Sequence, residues 1–117
     1  MSSETPRKIP VRFYRSAGGQ ESVRDWLKRL DARDRLAIGR DLMRVQFRWP
    51  VGMPLCRSLG SGLWEVRTQL PSRRIARVMI CFREDALVVL HAFIKKTQRM
   101  SDEDMDVARR RQKEVGA

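Results

Sequence analysis

The sequence predicts a small α+β protein, a mostly antiparallel sheet with two helices packed on one face, in the order β-α-α-β-β-β-α. Three observations carry this prediction. Residues 8–15 and the runs 63–70, 75–82 and 87–94 show the apolar alternation, or the short bounded apolar run, expected of strands. Residues 21–49 repeat apolar side chains at helical spacing, and 101–114 carry the charge and capping signals of a helix. The three later strands are joined by connections too short for a crossover helix, which makes them an antiparallel meander.

Each element follows from its residues. Residues 1–7 are polar and read as a frayed end. KIPVRFYR (8–15) alternates Ile9, Val11 and Phe13 with Lys8, Pro10 and Arg12, and Pro10 suits an edge or the start of a strand. SAGGQ (16–20) breaks it. Val23, Trp26, Leu27 and Leu30 then lie on one side of a short helix. Asp31 with Asp34 can cap a second helix, whose stripe is Leu36, Met43 and Phe47, widened by Ile38, Leu42 and Val45. Pro50 and Gly52 end that helix, and 53–62 reads as a loop. LWEVRTQL (63–70), IARVMICF (75–82) and LVVLHAFI (87–94) are the later strands, with turns at PSRR (71–74) and REDA (83–86). Ser101 with Asp104 forms a capping box for a C-terminal helix, 101–114, with acids in its first turn and Arg109, Arg110, Arg111 and Lys113 toward its end.

A chain of 117 residues suits one domain, 1–117, with a single core. No apolar run is long enough for a membrane helix, and MSSETPRKIPVRF lacks the apolar segment of a secretory leader. Cys56 and Cys81 are far apart, so reduced thiols in a cytoplasmic protein are expected. With one histidine and no close thiol pair, neither a metal site nor a cofactor is expected. The net charge of +11, mostly arginine, points to a phosphate polyanion or an acidic protein as partner.

Strand parity concentrates that charge. With Trp64 and Val66 facing the helices, Glu65 and Arg67 face away; Val78 and Ile80 inward leaves Arg77 outward. Placing Val88, Leu90, Ala92 and Ile94 inward sends His91 and Lys95 to the outward face, with Lys96 at the strand end. Arg73 and Arg74 lie at the mouth of the 71–74 turn, and Arg99 follows the lysines. The expectation is a cationic patch on an exposed sheet face, with Glu65 as its acid.

LGSGLWEVR (59–67), RRIARVMICF (73–82) and LHAFIKKTQRMSDEDMDVARRR (90–111) give the chain its resemblance to a known group. Over roughly residues 10–114 it resembles the RelE/ParE superfamily of toxins from type II toxin–antitoxin systems, most closely the HigB-like, phage-derived branch. The resemblance implies a RelE-like fold with a C-terminal helix that is often mobile or antitoxin-facing. It also implies a ribosome-dependent endoribonuclease that cuts mRNA without a metal and halts growth. Its catalytic positions would be Arg67, Arg77, Lys95 and Lys96, where Arg67 and Lys96 match the family's lysine and arginine in charge rather than identity. Arg73, Arg74, Arg99, Glu65 and His91 would complete the RNA-binding surface. The family's C-terminal tyrosine or aspartate has no clean counterpart here unless Asp102 or Asp104 serves.

Such chemistry needs a 2′-OH to attack the phosphate while the 5′-oxygen leaves, with charge neutralised and two protons moved. Arginines suit the charge; a lysine with a lowered pKa, Glu65 or His91 suits the proton. Lys96 is the first choice for proton transfer, with Lys95 assisting. The implied partners are mRNA, the ribosome and a cognate antitoxin with an acidic segment or a helix-turn-helix, through which alone operator DNA would be met. Two other functions stand beside this one: a ParE-like gyrase poison acting by protein contact, and a relative that only binds RNA or a partner.

Overall fold

The computed structural model describes residues 8–95 and 100–116. Lys96 and Arg99 therefore lie outside the described residues. The elements are β1 (Val11–Phe13), α1 (Ser22–Lys28), α2 (Ala32–Arg48), β2 (Cys56–Gly60), β3 (Leu63–Gln69), β4 (Ile75–Arg83), β5 (Ala86–Ile94) and α3 (Asp102–Glu114). The strands form one sheet in the order β1-β5-β4-β3-β2, antiparallel throughout except that β1 runs parallel to β5. The fold is α+β, as the alternation predicts, and the helical excursion between β1 and the meander is what brings β1 to the far edge.

The loop expected over 53–62 contains β2, which pairs Cys56 with Val66 and turns into β3 through Gly60, Ser61 and Gly62, all at positive φ. At the other hairpin Glu84 and Asp85 both take positive φ, the backbone of a tight turn whose twist matches the strands it joins. Helix α2 starts where expected: the Asp31 carboxylate accepts from the Arg33 N–H at 2.8 Å. Asp34 is not part of a capping box. It is buried and accepts hydrogen bonds from the Ser72 hydroxyl at 2.8 Å and Arg74 Nη2 at 3.2 Å, tying α2 to the β3–β4 turn.

Helices α1 and α2 cover one sheet face, where Val23, Ile38, Leu42 and Val45 pack on Val66, Val78, Ile80, Leu87 and Val89. The α2 stripe is thus Ile38, Leu42 and Val45; Leu36, Met43 and Phe47 lie 56, 48 and 43% exposed on the outer side. The opposite face is not open. Helix α3 packs on it, with Ala108 over Leu63, Met79, Cys81, Val88 and Leu90, so the sheet lies between helical layers. This corrects the expected parity of β5. A bulge opposite Met79 and Ile80 leaves Leu90 unpaired, so Val88 and Leu90 face α3 while Leu87, Val89 and Ala92 face α1 and α2.

Side chains fix α3 in place. Ser101 accepts from the Asp104 N–H at 3.1 Å, the capping bond expected from the sequence. Arg109 donates to the carbonyls of Leu59 and Gly60, each at 2.9 Å, and Gln112 Nε2 donates to the Ser61 carbonyl at 2.7 Å. Arg111 donates to the Leu90 carbonyl at 2.8 Å, satisfying an acceptor at the bulge, and its guanidinium stacks 4.8 Å over the Tyr14 ring. The Tyr14 hydroxyl donates to Glu114. That bond first, then burial and the Glu114 charge, pushes the Tyr14 pKa up. Among the described residues no helix is long and apolar enough to cross a membrane.

Candidate nucleic-acid interface

Strand register assembles the site. On the α3 side of the sheet, Arg67 lies opposite Arg77, and Arg77 lies opposite Phe93. The neighbouring row is Arg57, Glu65, Met79 and His91. Beyond the Arg67 row come Gln69 and Ile75, and the Lys95 N–H donates to the Ile75 carbonyl at 2.7 Å. β3, β4 and the end of β5 thus converge Arg67, Arg77 and Lys95, the three described members of the expected catalytic set.

The patch is less open than expected. Glu65 is fully buried and Arg77 is 4% exposed, and Arg77 Nε lies 3.5 Å from Glu65 Oε2. The contact is coulombic, since neither Glu65 oxygen accepts a hydrogen bond among the described residues. A buried guanidinium held beside a carboxylate is fixed in position, and Glu65 offsets part of the repulsion among the cations. Arg67 and Lys95 are half-buried at the open side of this pair.

Lys95 reports the combined field. Its pKa is lowered, first by burial, then by the charges of Arg67 and Arg77, while Glu65 works in the opposite direction. A lysine so placed carries a larger neutral fraction near pH 7 than a solvated one, and a neutral amine can accept a proton.

The remaining candidates are placed differently. His91 Nε2 lies 2.7 Å from Asp104 Oδ1, and its ring packs on Phe93 with centroids 5.5 Å apart. The capping acid of α3 therefore also holds His91. Arg74 is tied to Asp34 and Ser72, whereas Arg73 is exposed in the turn at positive φ. Both precede Ile75, at the same end of the sheet as Lys95. Trp49 and Trp64 meet edge to face at 5.1 Å. The thiols of Cys56 and Cys81 are free and buried, and burial pushes each pKa up to about 11. No group of three or more metal-ligating side chains forms among the described residues.

One feature of the site has no sequence signal. Where β2 stops pairing, at Cys56 and Val66, the last residues of β3 lie beside the 53–55 segment, and the Arg67 N–H donates to the Leu55 carbonyl at 3.0 Å. A groove of about 480 Å³ opens there, between this edge and α2. Arg67 lines it, so one arginine borders both the groove and the cationic row. Asp41 and Arg44 of α2 also line it, but in the sequence they are only an acid and a base one helical turn apart.

No curated protein matches the chain. The family model described as phage-derived protein, Gp49-like, matches residues 25–113, from α1 through nearly all of α3 and including every described residue of the cationic row. On that match, the chain belongs to the Gp49-like family of phage-derived proteins, a toxin-like family.

Proposed function

We propose that this protein is the toxin of a type II toxin–antitoxin system, a metal-independent endoribonuclease of the RelE/HigB kind that cuts mRNA on the ribosome. The observation that carries this reading is the convergence of Arg67, Arg77 and Lys95 from adjoining strands, where burial first and then the charges of the two arginines lower the Lys95 pKa. In the proposed reaction Lys95 takes the proton of a ribose 2′-OH, and that oxygen attacks the adjacent phosphorus. The P–O5′ bond breaks and the 5′-oxygen takes a proton from water, leaving a 2′,3′-cyclic phosphate and a 5′-OH end. Arg67 and Arg77 neutralise the charge that builds on the phosphorane oxygens, and Glu65 keeps Arg77 aimed. Lys96, expected first for proton transfer, lies outside the described residues, so the step falls to Lys95, with Lys96 as a further cation next to it in the chain. A cognate antitoxin with an acidic segment would silence the protein by covering the cations.

The outer side of α2 favours a second reading. Exposed Leu36, Met43 and Phe47 offer a protein-contact face of the sort a ParE-like gyrase poison needs. Primer extension on cellular RNA after induction, beside a gyrase supercoiling assay, separates the two. New transcript ends with normal supercoiling are expected. Intact transcripts with inhibited supercoiling would replace the nuclease reading with the poison.

A further inference from the structure

The groove beside β3 suits a ligand different from the one bound by the cationic row. It is walled by Asp41 and Arg44 from α2 and by Leu55, Arg67, Gln69 and Ile75 from the sheet edge. Its volume of about 480 Å³ accommodates a nucleotide. Leu55 and Ile75 are half-buried and supply apolar surface for the flat face of a base. Arg44 supplies a cation at the rim. Among the described residues, Arg44 Nη1 engages Oδ1 of Asp41 at 3.3 Å, and Oδ2 accepts no hydrogen bond. Gln69 is exposed at the strand end, with one amide to donate and accept.

We infer that this groove binds the base of a nucleotide flanking the phosphate held by Arg67, and that Asp41 and Gln69 select adenine or cytosine over uracil through the exocyclic amino group that uracil lacks. The inference rests on the RNA-cleaving reading and adds a specificity site to it. An RNA strand whose phosphate sits against Arg67 continues along the edge of β3 toward Gln69, past the end of the pairing with β2 and the bond from the Arg67 N–H to the Leu55 carbonyl. Its next base then meets the groove. The Asp41 carboxylate only accepts hydrogen bonds, so it favours the amino group of adenine or cytosine and repels the carbonyl that uracil presents in its place. Gln69 can donate to the adjoining ring nitrogen. Unstacked single-stranded bases are read in this way, by apolar contact with the ring and hydrogen bonds to the edge.

The test uses fluorescein-labelled RNA hexanucleotides with a 2′-deoxyribose at the cleavage position, differing only in the flanking base. Binding is measured by anisotropy at fixed salt for the full chain and for Gln69→Ala and Asp41→Asn. At one flanking position, adenine or cytosine is expected to bind about tenfold tighter than uracil, the scale of one good base-edge pairing. Each variant should cut that ratio severalfold, Gln69→Ala by weakening the adenine or cytosine oligonucleotide and Asp41→Asn also by strengthening the uracil one, whose carbonyl no longer meets a carboxylate. A ratio that survives both substitutions, or no base preference in the unaltered chain, overturns the groove assignment. The all-ribose oligonucleotides, supplied with ribosomes, report cleavage separately. Base selection without cleavage supports the groove and removes the nuclease reading; cleavage without base selection does the reverse, and the absence of both removes both.

Discussion

Glu65→Gln is the most informative single change to the site's framework. It removes one charge from a pair in which Glu65 is fully buried and Arg77 is 4% exposed, at a separation of 3.5 Å. Breaking a buried pair from one side leaves the other charge desolvated, at a cost of about 3–5 kcal/mol. Arg77 has further contacts, so the lower end, roughly 3 kcal/mol, is expected here. With a urea dependence of about 1–3 kcal/mol per molar for a small protein, the unfolding midpoint should fall by roughly 1–3 M. An exposed pair sets the contrast: Arg24→Ala, which breaks the surface contact with Glu21, should cost no more than about 1 kcal/mol. Replacing both buried partners, as Glu65→Leu with Arg77→Met, should recover most of the lost stability yet leave a protein unable to cut RNA. A Glu65→Gln midpoint within about 0.3 M of the unaltered protein would refute the claim that this pair fixes Arg77.

Three further outcomes are expected. Lys95→Arg keeps the charge but replaces an amine whose pKa is lowered with a guanidinium that stays protonated, so the cleavage rate should fall about 100-fold or more with RNA affinity held within a small factor. In the unaltered protein the rate should rise with pH through the lowered Lys95 pKa and then level off, and Lys95→Arg should abolish that rise. Asp34 has burial raising its pKa, but the hydrogen bonds from Ser72 and Arg74 outweigh it and the net shift is down. Its contribution to stability is therefore present above the unfolded carboxyl value of about 3.9 and is lost as pH falls through the lower folded value. Asp34→Asn should lower Tm at pH 7, and the difference should narrow as scans move toward pH 3. Arg109→Ala removes the bonds to the Leu59 and Gly60 carbonyls and should cost about 1.5–3 kcal/mol, read by urea unfolding, with faster hydrogen exchange across α3.

The parts legible in the sequence were those where polar or charged side chains mark one face of an element. Trp64 to Gln69 alternate Trp64, Val66 and Thr68 with Glu65, Arg67 and Gln69, and Arg77 marks its own face of a strand otherwise apolar and buried on both sides, so the meeting of Arg67 with Arg77 could be read directly. Residues 87–94 are apolar on both faces because helices cover both, so alternation carried no information and the bulge at Leu90 went unseen. α2 has two apolar stripes, and only packing against the sheet selects Ile38, Leu42 and Val45 over Leu36, Met43 and Phe47. β2 is short, and only Cys56 in it is buried, which leaves no pattern to detect. Asp34 looked like a cap because its partners, Ser72 and Arg74, lie 38 and 40 residues away. Tyr14 had no visible role for the same reason: Glu114 meets it 100 residues later.

The central claim is that Arg67, Arg77 and Lys95 act together on one phosphodiester. Chemical mapping of RNA ends after induction tests it most directly, in cells carrying the unaltered protein or Arg67→Ala, Arg77→Ala or Lys95→Ala, each shown to be folded. New 2′,3′-cyclic phosphate and 5′-OH ends are expected with the unaltered chain, and their loss in every variant. The same ends in all three variants, or growth arrest with no new ends at all, would contradict it.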